Sequence, residues 1–266
     1  MTSSTTAPRT YVVTGAGSGI GASTAALLRD RGEIVIGVDL KGAEIEADLS
    51  TTAGRKTAAD RAIDLAGGSI DAVIACAGIA APIPLTVSVN YFGVTEFLEH
   101  LAPVLAKSPA PRAAVVSSAA TLQNTSAELV DAMLAGDEAK ALEIGAALAA
   151  QGPAGYLNYP SSKRALSRWV RRESITERWA GAHIPLNAIA PGTVISPMTE
   201  QLLATEEGRK MVDDSMPMPL NYHSDSIVLA RLLAWLTSEE NTHTTGQTIY
   251  IDGGVDATLR GDNIWD

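Results

Sequence analysis

The chain has 266 residues, a formal net charge of -10, and 46% hydrophobic but only 5% aromatic residues. Small aliphatic side chains in that supply suit a sheet covered by helices on both faces, and α/β folds of this length commonly form one unit. The acidic balance without clustered Lys and Arg argues against a nucleic-acid partner, and the single cysteine, Cys76, leaves no intrachain disulfide and no Cys-based metal site.

Met1 to Arg9 is Ser/Thr-rich and lacks the basic start and apolar run of a signal peptide, and no apolar stretch reaches the roughly 18 residues of a membrane span. A cytoplasmic protein is expected. From residue 10 onward apolar runs alternate with helical patterns, which predicts βαβ units in a doubly wound, mainly parallel α/β sheet. The first strand, Thr10–Thr14, runs through Gly15-Ala16-Gly17-Ser18-Gly19-Ile20-Gly21 into a helix over Ile20–Arg31. Glycines there permit a tight turn and let backbone approach a pyrophosphate at the helix N-terminus.

The second strand, Ile34–Asp39, ends in an acid 18 residues after Gly21, close to the spacing of a carboxylate that accepts from the adenosine ribose hydroxyls. Asp39, followed by Leu40, opposes a 2′-phosphate by like-charge repulsion and favours NAD over NADP; Lys41 is the nearby cation that keeps NADP open. Asp48-Leu49, and Cys76-Ala77-Gly78 at the end of the strand Ala72–Cys76, should border the adenine and its ribose. Asp48 reads equally as an N-cap acid and Ala77-Gly78 as a plain turn.

Helices are predicted over Thr57–Ala66 and Asn90–Leu105, the latter opening on Asn90, which reads either as a helix N-cap or as the holder of a water beside Lys163. Ser117-Ser118 closes the strand Ala113–Ser117 and can either donate to a substrate oxygen or cap the strand end. Residues 123–151, rich in Ala, Glu and Leu, read as one or two inserted helices. Their apolar positions Leu129, Met133, Leu134, Leu142, Ile144 and Leu148 need burial in their own domain or against a second subunit. Tyr159 and Lys163 follow at i and i+4 in a helix over Tyr159–Trp179; a neighbouring ammonium should lower the phenol pKa toward proton exchange with an alcohol.

A strand over Pro185–Ala190 leads into residues 191–222, which carry Met198, Met211, Met216 and Met218 and read as an apolar flap over a pocket or as gap-filling core. Asp225–Thr237 is predicted helical and Thr248–Asp252 a strand. His100, His183, His223 and His243 are widely spaced and form no metal pattern, so no metal is expected.

Thr14-Gly15-Ala16-Gly17-Ser18-Gly19-Ile20-Gly21, Ala77-Gly78, Asn90, Ser118, Tyr159 with Lys163, Pro191-Gly192 and Asp252-Gly253-Gly254 together resemble the short-chain dehydrogenase/reductase family over about residues 10 to 255. The resemblance implies one Rossmann-type catalytic domain spanning 1–266, with NAD as cofactor. It makes Asn90, Ser118, Tyr159 and Lys163 a tetrad in which Tyr159 is general acid/base, Ser118 orients the carbonyl, Lys163 binds the nicotinamide ribose, and Asn90 anchors a relay water. Pro191 and Gly192, with Thr193, Val194 and Ser196 in the turn beyond, would meet the nicotinamide amide.

Two small departures, Cys76 where the family often has Asn and Ser196 where it often has Thr, remove no catalytic group. The 123–151 insert, Asn90-Tyr91-Phe92-Gly93, and the ending Ile251-Asp252-Gly253-Gly254-Val255-Asp256-Ala257 resemble the bacterial 3α-hydroxysteroid dehydrogenase/carbonyl reductase branch. That implies a bulky cyclic, steroid-like or aryl ketone as substrate, and a homo-oligomer, dimer or tetramer, with neither nucleic acid nor membrane as partner. A dehydrogenase of small aryl or amino alcohols and a non-catalytic NAD-binding sensor are the alternatives, and an epimerase or dehydratase would use the same Tyr and Lys.

Overall fold

The computed structural model describes residues 7–220, 222–262 and 264. Its first half is β1 (Thr10–Thr14), α1 (Gly19–Asp30), β2 (Ile34–Asp39), β3 (Ile45–Glu46), α2 (Thr52–Leu65) and β4 (Ala72–Ala75). Next comes α3 (Leu85–Val87), which continues through a π turn, Ser88–Phe92, into α4 (Gly93–Leu105). Then follow β5 (Arg112–Val116), the insert helices α5 (Ala127–Leu134) and α6 (Glu138–Ala150), and α7 (Asn158–Glu173). The chain closes with β6 (Leu186–Pro191), β7 (Val194–Ile195), α8 (Glu200–Leu203), α9 (Glu206–Ser215), β8 (Ser224–Asp225), α10 (Ser226–Leu236), β9 (Thr248–Ile251) and α11 (Val255–Arg260).

Seven strands form one parallel sheet in the order β3-β2-β1-β4-β5-β6-β9. The strands are short continuous apolar runs because both faces are covered. Val12, Val38, Val73, Val115 and Leu186 pack toward α2, α4 and α7, whereas Tyr11, Val13, Ile74, Ala114 and Ile189 pack toward α1 and α10. Strand order reverses between β1 and β4, so the loops leaving these two strands diverge and open a crevice at their carboxyl ends.

Elements differ from the sequence expectation where local chemistry overrides the apolar pattern. Helix α2 starts at Thr52 rather than Thr57, because Thr51 accepts from Gly54 N (3.0 Å) and caps it. The helix expected to begin at Asn90 begins at Leu85, which puts Asn90 inside a π turn instead of at an N-cap. Helix α7 stops at Glu173 rather than running to Trp179: Thr176 Oγ1 bonds back to Glu173 O (2.8 Å), and a separate π turn, Glu177–Gly181, follows.

The insert's apolar residues are covered by their own chain, with Leu129, Met133 and Ile144 buried and Leu134, Leu142 and Leu148 partly buried against the same core. A second subunit is not needed to cover them. The segment after β6 leaves and returns through a two-stranded parallel ribbon, Val194 opposite Ser224. Helices α8 and α9, between those strands, bury none of their residues. Those two helices lie on the surface, while Met218, beyond them, packs against Gly253.

Candidate active site

Loops leaving β1, β2, β4, β5 and β6 line a cleft of about 480 Å³. The glycine turn forms one end. Gly15 has φ of +70° and donates to Val38 O (2.8 Å), and a Cβ on it would lie 2.8 Å from Ala77 N. Only glycine lets the β1 and β4 loops come this close. Gly15, Ser18, Gly19, Ile20 and Gly21 line the cleft, and no side chain caps the first turn of α1, whose N-terminus opens there. Gly17 is off the wall; its N–H donates to Asp39 Oδ2 (2.9 Å), while Asp39 Oδ1 accepts from Leu40 N (2.6 Å). Two backbone donors thus fix the Asp39 carboxylate at the edge of the cleft.

Leu40, Asp48, Leu49, Cys76, Ala77 and Gly78 continue the wall. Asp48 does not cap α2; its Oδ1 accepts from Ser50 N (2.9 Å) and shapes the loop. Ala77 is more than a plain turn residue, since its N–H donates to Thr14 Oγ1 (3.1 Å) and ties β4's exit to β1. Burial pushes the Cys76 thiol up to about 12, so it stays protonated and is no nucleophile.

Tyr159, Lys163 and Ser118 meet at the other end of the cleft. Tyr159 lies on the first turn of α7, and the Lys163 ammonium sits 5.9 Å from the centre of its ring. Burial raises the phenol pKa, and the neighbouring Ser118 hydroxyl opposes that shift. The expected lowering by Lys163 is therefore not seen. Burial instead pushes Lys163 itself down to about 8, and its Nζ donates to Val116 O (2.8 Å). Ser118 Oγ also accepts from Ala120 N (3.0 Å), so it caps the turn after β5 while facing the phenol. Ser117 points the other way, donating to Lys163 O (3.1 Å).

Asn90 is buried behind this group rather than on the wall. Its Oδ1 accepts from Ile79 N (2.8 Å), and its Nδ2 donates to Ile79 O (2.9 Å) and Ser162 Oγ (3.2 Å). Both Nδ2 hydrogens are thereby held by protein, and Oδ1 keeps one lone pair beyond its bond from Ile79. The side chain stands next to Lys163: a Cβ on Gly78 would lie 3.1 Å from Asn90 Oδ1 and 3.4 Å from Lys163 Nζ.

Pro191, Gly192, Val194 and Ser196 line the cleft beside α1; Thr193 is buried at its margin, its carbonyl accepting from Ser224 N (2.9 Å). Sequence reasoning missed the apolar wall at the Tyr159 end, formed by Ile79, Leu85, Val89 and Met198. Leu85 and Val89 are i and i+4 on the helix that carries Asn90, a spacing that was readable. Met198 stood out by composition, but its side of the cleft depends on the fold of the flap. Among the described residues no group of His, Cys, Asp and Glu could hold a metal, and no helix is long and apolar enough to cross a membrane.

The family described as enoyl-(acyl carrier protein) reductase, of the short-chain dehydrogenase/reductase type, matches residues 15–256. A 3-alpha-hydroxysteroid dehydrogenase/carbonyl reductase of Comamonas testosteroni is 35% identical over 254 residues, which cover 94% of this chain and 97% of the relative. A coniferyl-alcohol dehydrogenase of a Pseudomonas species is 28% identical over 256 residues, 93% of this chain and 96% of that one. Among solved structures, the 3-alpha-hydroxysteroid dehydrogenase from Pseudomonas sp. B-0831 complexed with NADH is similar with a TM-score of 0.86 and 37% identity, covering 96% of this chain and all of that one.

Proposed function

The chain belongs to the short-chain dehydrogenase/reductase family of CH–OH oxidoreductases, and from that premise we propose that it is an NAD(H)-dependent secondary-alcohol dehydrogenase and ketone reductase for bulky cyclic, steroid-like or aryl substrates. The observation that carries this reading is one cleft with the glycine turn and Asp39 at one end and Tyr159, Ser118 and Lys163 at the other. The protein surface suits a dinucleotide: the N-terminus of α1 is uncapped, and beside it Gly19 carries no side chain into the cleft, where a Cβ would come within 3.7 Å of Ser196 Cβ. The cofactor, when bound, accepts or delivers the hydride.

The protein's own residues handle the proton and the geometry. Ser118 orients the substrate oxygen by hydrogen bond and, with it, the phenol of Tyr159, which gives a proton in reduction and takes one in oxidation. Lys163 holds its charge near neutral pH, and that charge favours the phenolate as it forms and suits a ribose hydroxyl. Asn90 keeps the β4 exit and α7 in register through Ile79 and Ser162, which holds Gly78 open beside Lys163. Asp39 accepts from the adenosine ribose and repels a 2′-phosphate, which supports NAD over NADP.

Leu85 and Met198, 44% and 47% exposed within the cleft wall, present apolar surface that a bulky apolar ketone would cover. The likeness to coniferyl-alcohol dehydrogenase favours small aryl alcohols as the second reading. The test is NADH formation from NAD with a panel of steroid, aryl-alkyl and small aliphatic secondary alcohols, repeated with NADP. Turnover of the steroid and bulky aryl alcohols with NAD is expected. Turnover confined to small aryl alcohols transfers the reading to the second class. Tight NAD binding with no turnover on any class points to a sensor.

A further inference from the structure

A charged side chain with no solvent exposure lies outside the reacting group. Arg55, on the first turns of α2, is 0% exposed, and its five N–H donors all have partners. Nε donates to Leu49 O (2.9 Å) and Nη2 to Ser50 O (2.9 Å). Glu138, at the start of insert helix α6, takes a bidentate pair from Nη1 (2.8 Å) and Nη2 (2.5 Å), and Glu96 on α4 accepts from Nη1 (2.9 Å). Burial acts against the guanidinium charge, and the two carboxylates outweigh it, leaving the pKa above its ordinary value.

Leu49 and Ser50 lie on the cleft wall next to Asp48, at the end away from Tyr159. Their carbonyls are held by this one guanidinium, and the backbone of Leu49 also presses on α4, where a Cβ on Gly93 would lie 2.9 Å from Leu49 O. We infer that Arg55 is a positioning residue for the cofactor-side wall of the cleft and that the helical insert, through Glu138, holds it in place. The insert then serves the distant half of the site as well as the neighbourhood of Tyr159. The inference rests on reading the cleft as a dinucleotide site.

Glu138→Gln tests it, because Glu138 is partly exposed and the change keeps its shape. An amide offers one acceptor and turns an NH₂ toward a guanidinium N–H, so one of the paired bonds is lost and a buried charge is left undercompensated. The Kd for NADH is measured by titration, and amide exchange across residues 47–55 is followed without cofactor. Glu143→Gln, an exposed carboxylate on the same helix, is the control that should change neither.

Expected for Glu138→Gln is a Kd about tenfold weaker, on the scale of one charge-assisted hydrogen bond, faster exchange at Leu49 and Ser50, and turnover at saturating NAD that falls far less than affinity. Unchanged Kd and exchange overturn the inference. So does a fall in turnover equal to the loss of affinity, which marks a general structural role. If the natural chain binds no NADH while exchange at 49–50 still responds to Glu138→Gln, the positioning stands and the dinucleotide reading falls.

Discussion

Burying the Lys163 ammonium costs stability, and the direction of that cost with pH is fixed by its pKa near 8. The unfolded lysine keeps its proton to about 10.4, so between the two values the unfolded chain binds more protons and stability rises with pH. Below about pH 8 the cost is present in full. Lys163→Met is therefore expected to abolish turnover while raising the melting temperature at pH 7, with the advantage shrinking as pH climbs from 8 toward 10. A melting temperature that falls at pH 7 would show that the bond to Val116 O outweighs desolvation. Tyr159→Phe should cut turnover by about a hundredfold or more and leave the NADH Kd unchanged, since it removes the proton donor and little surface. Tyr159 and Lys163 were legible because a helix makes i and i+4 neighbours whatever surrounds it. The phenol's upward shift and the bonds of Asn90 to Ile79 and Ser162 were not, because both depend on burial by elements distant in sequence.

Helix ends and turns were read less well than helix cores, for reasons visible at particular residues. Gly54, in the first turn of α2, looks like a breaker in sequence, yet a Cβ there would fall 1.9 Å from Asp48 O, so the helix can begin at Thr52 only with glycine in that place. Gly145 in α6 is the same kind of position. Asn158, the first residue of α7, donates from Nδ2 to Gly145 O (3.1 Å), and a Cβ on Gly145 would sit 2.6 Å from Asn158 Oδ1 and 3.3 Å from Pro84 Cβ. Helix propensity alone favours Gly145→Ala by about 1 kcal/mol. Overpacking against a fully buried side chain costs typically 1–3 kcal/mol and should win. Chemical denaturation of Gly145→Ala is expected to show a lowered midpoint with an unchanged slope, and a raised midpoint would mean that α6 can shift away from α7.

At the scale of the whole molecule the parallel sheet was legible because each of its long strands is an apolar run followed by a turn and a helical pattern. The two-residue strands β3, β7 and β8 carry too little pattern to read and exist only by pairing with chain already in place. The expected homo-oligomer was argued in part from the insert's apolar positions, and that warrant fails because the chain buries them itself. What remains is the β9 edge of the sheet and the exposed residues of α10. Among the described residues strand β9 has a neighbour on one side only, and Val228 and Trp235 of α10 are exposed, Trp235 to 40%. An uncovered strand edge and exposed apolar side chains are features that a second copy can bury symmetrically. Sedimentation is therefore expected to give a species heavier than one chain, and Trp235→Arg to shift it toward the single chain without altering NADH affinity. A single-chain species for the natural protein would overturn the oligomer, whereas an oligomer indifferent to Trp235→Arg would place its contacts on another face.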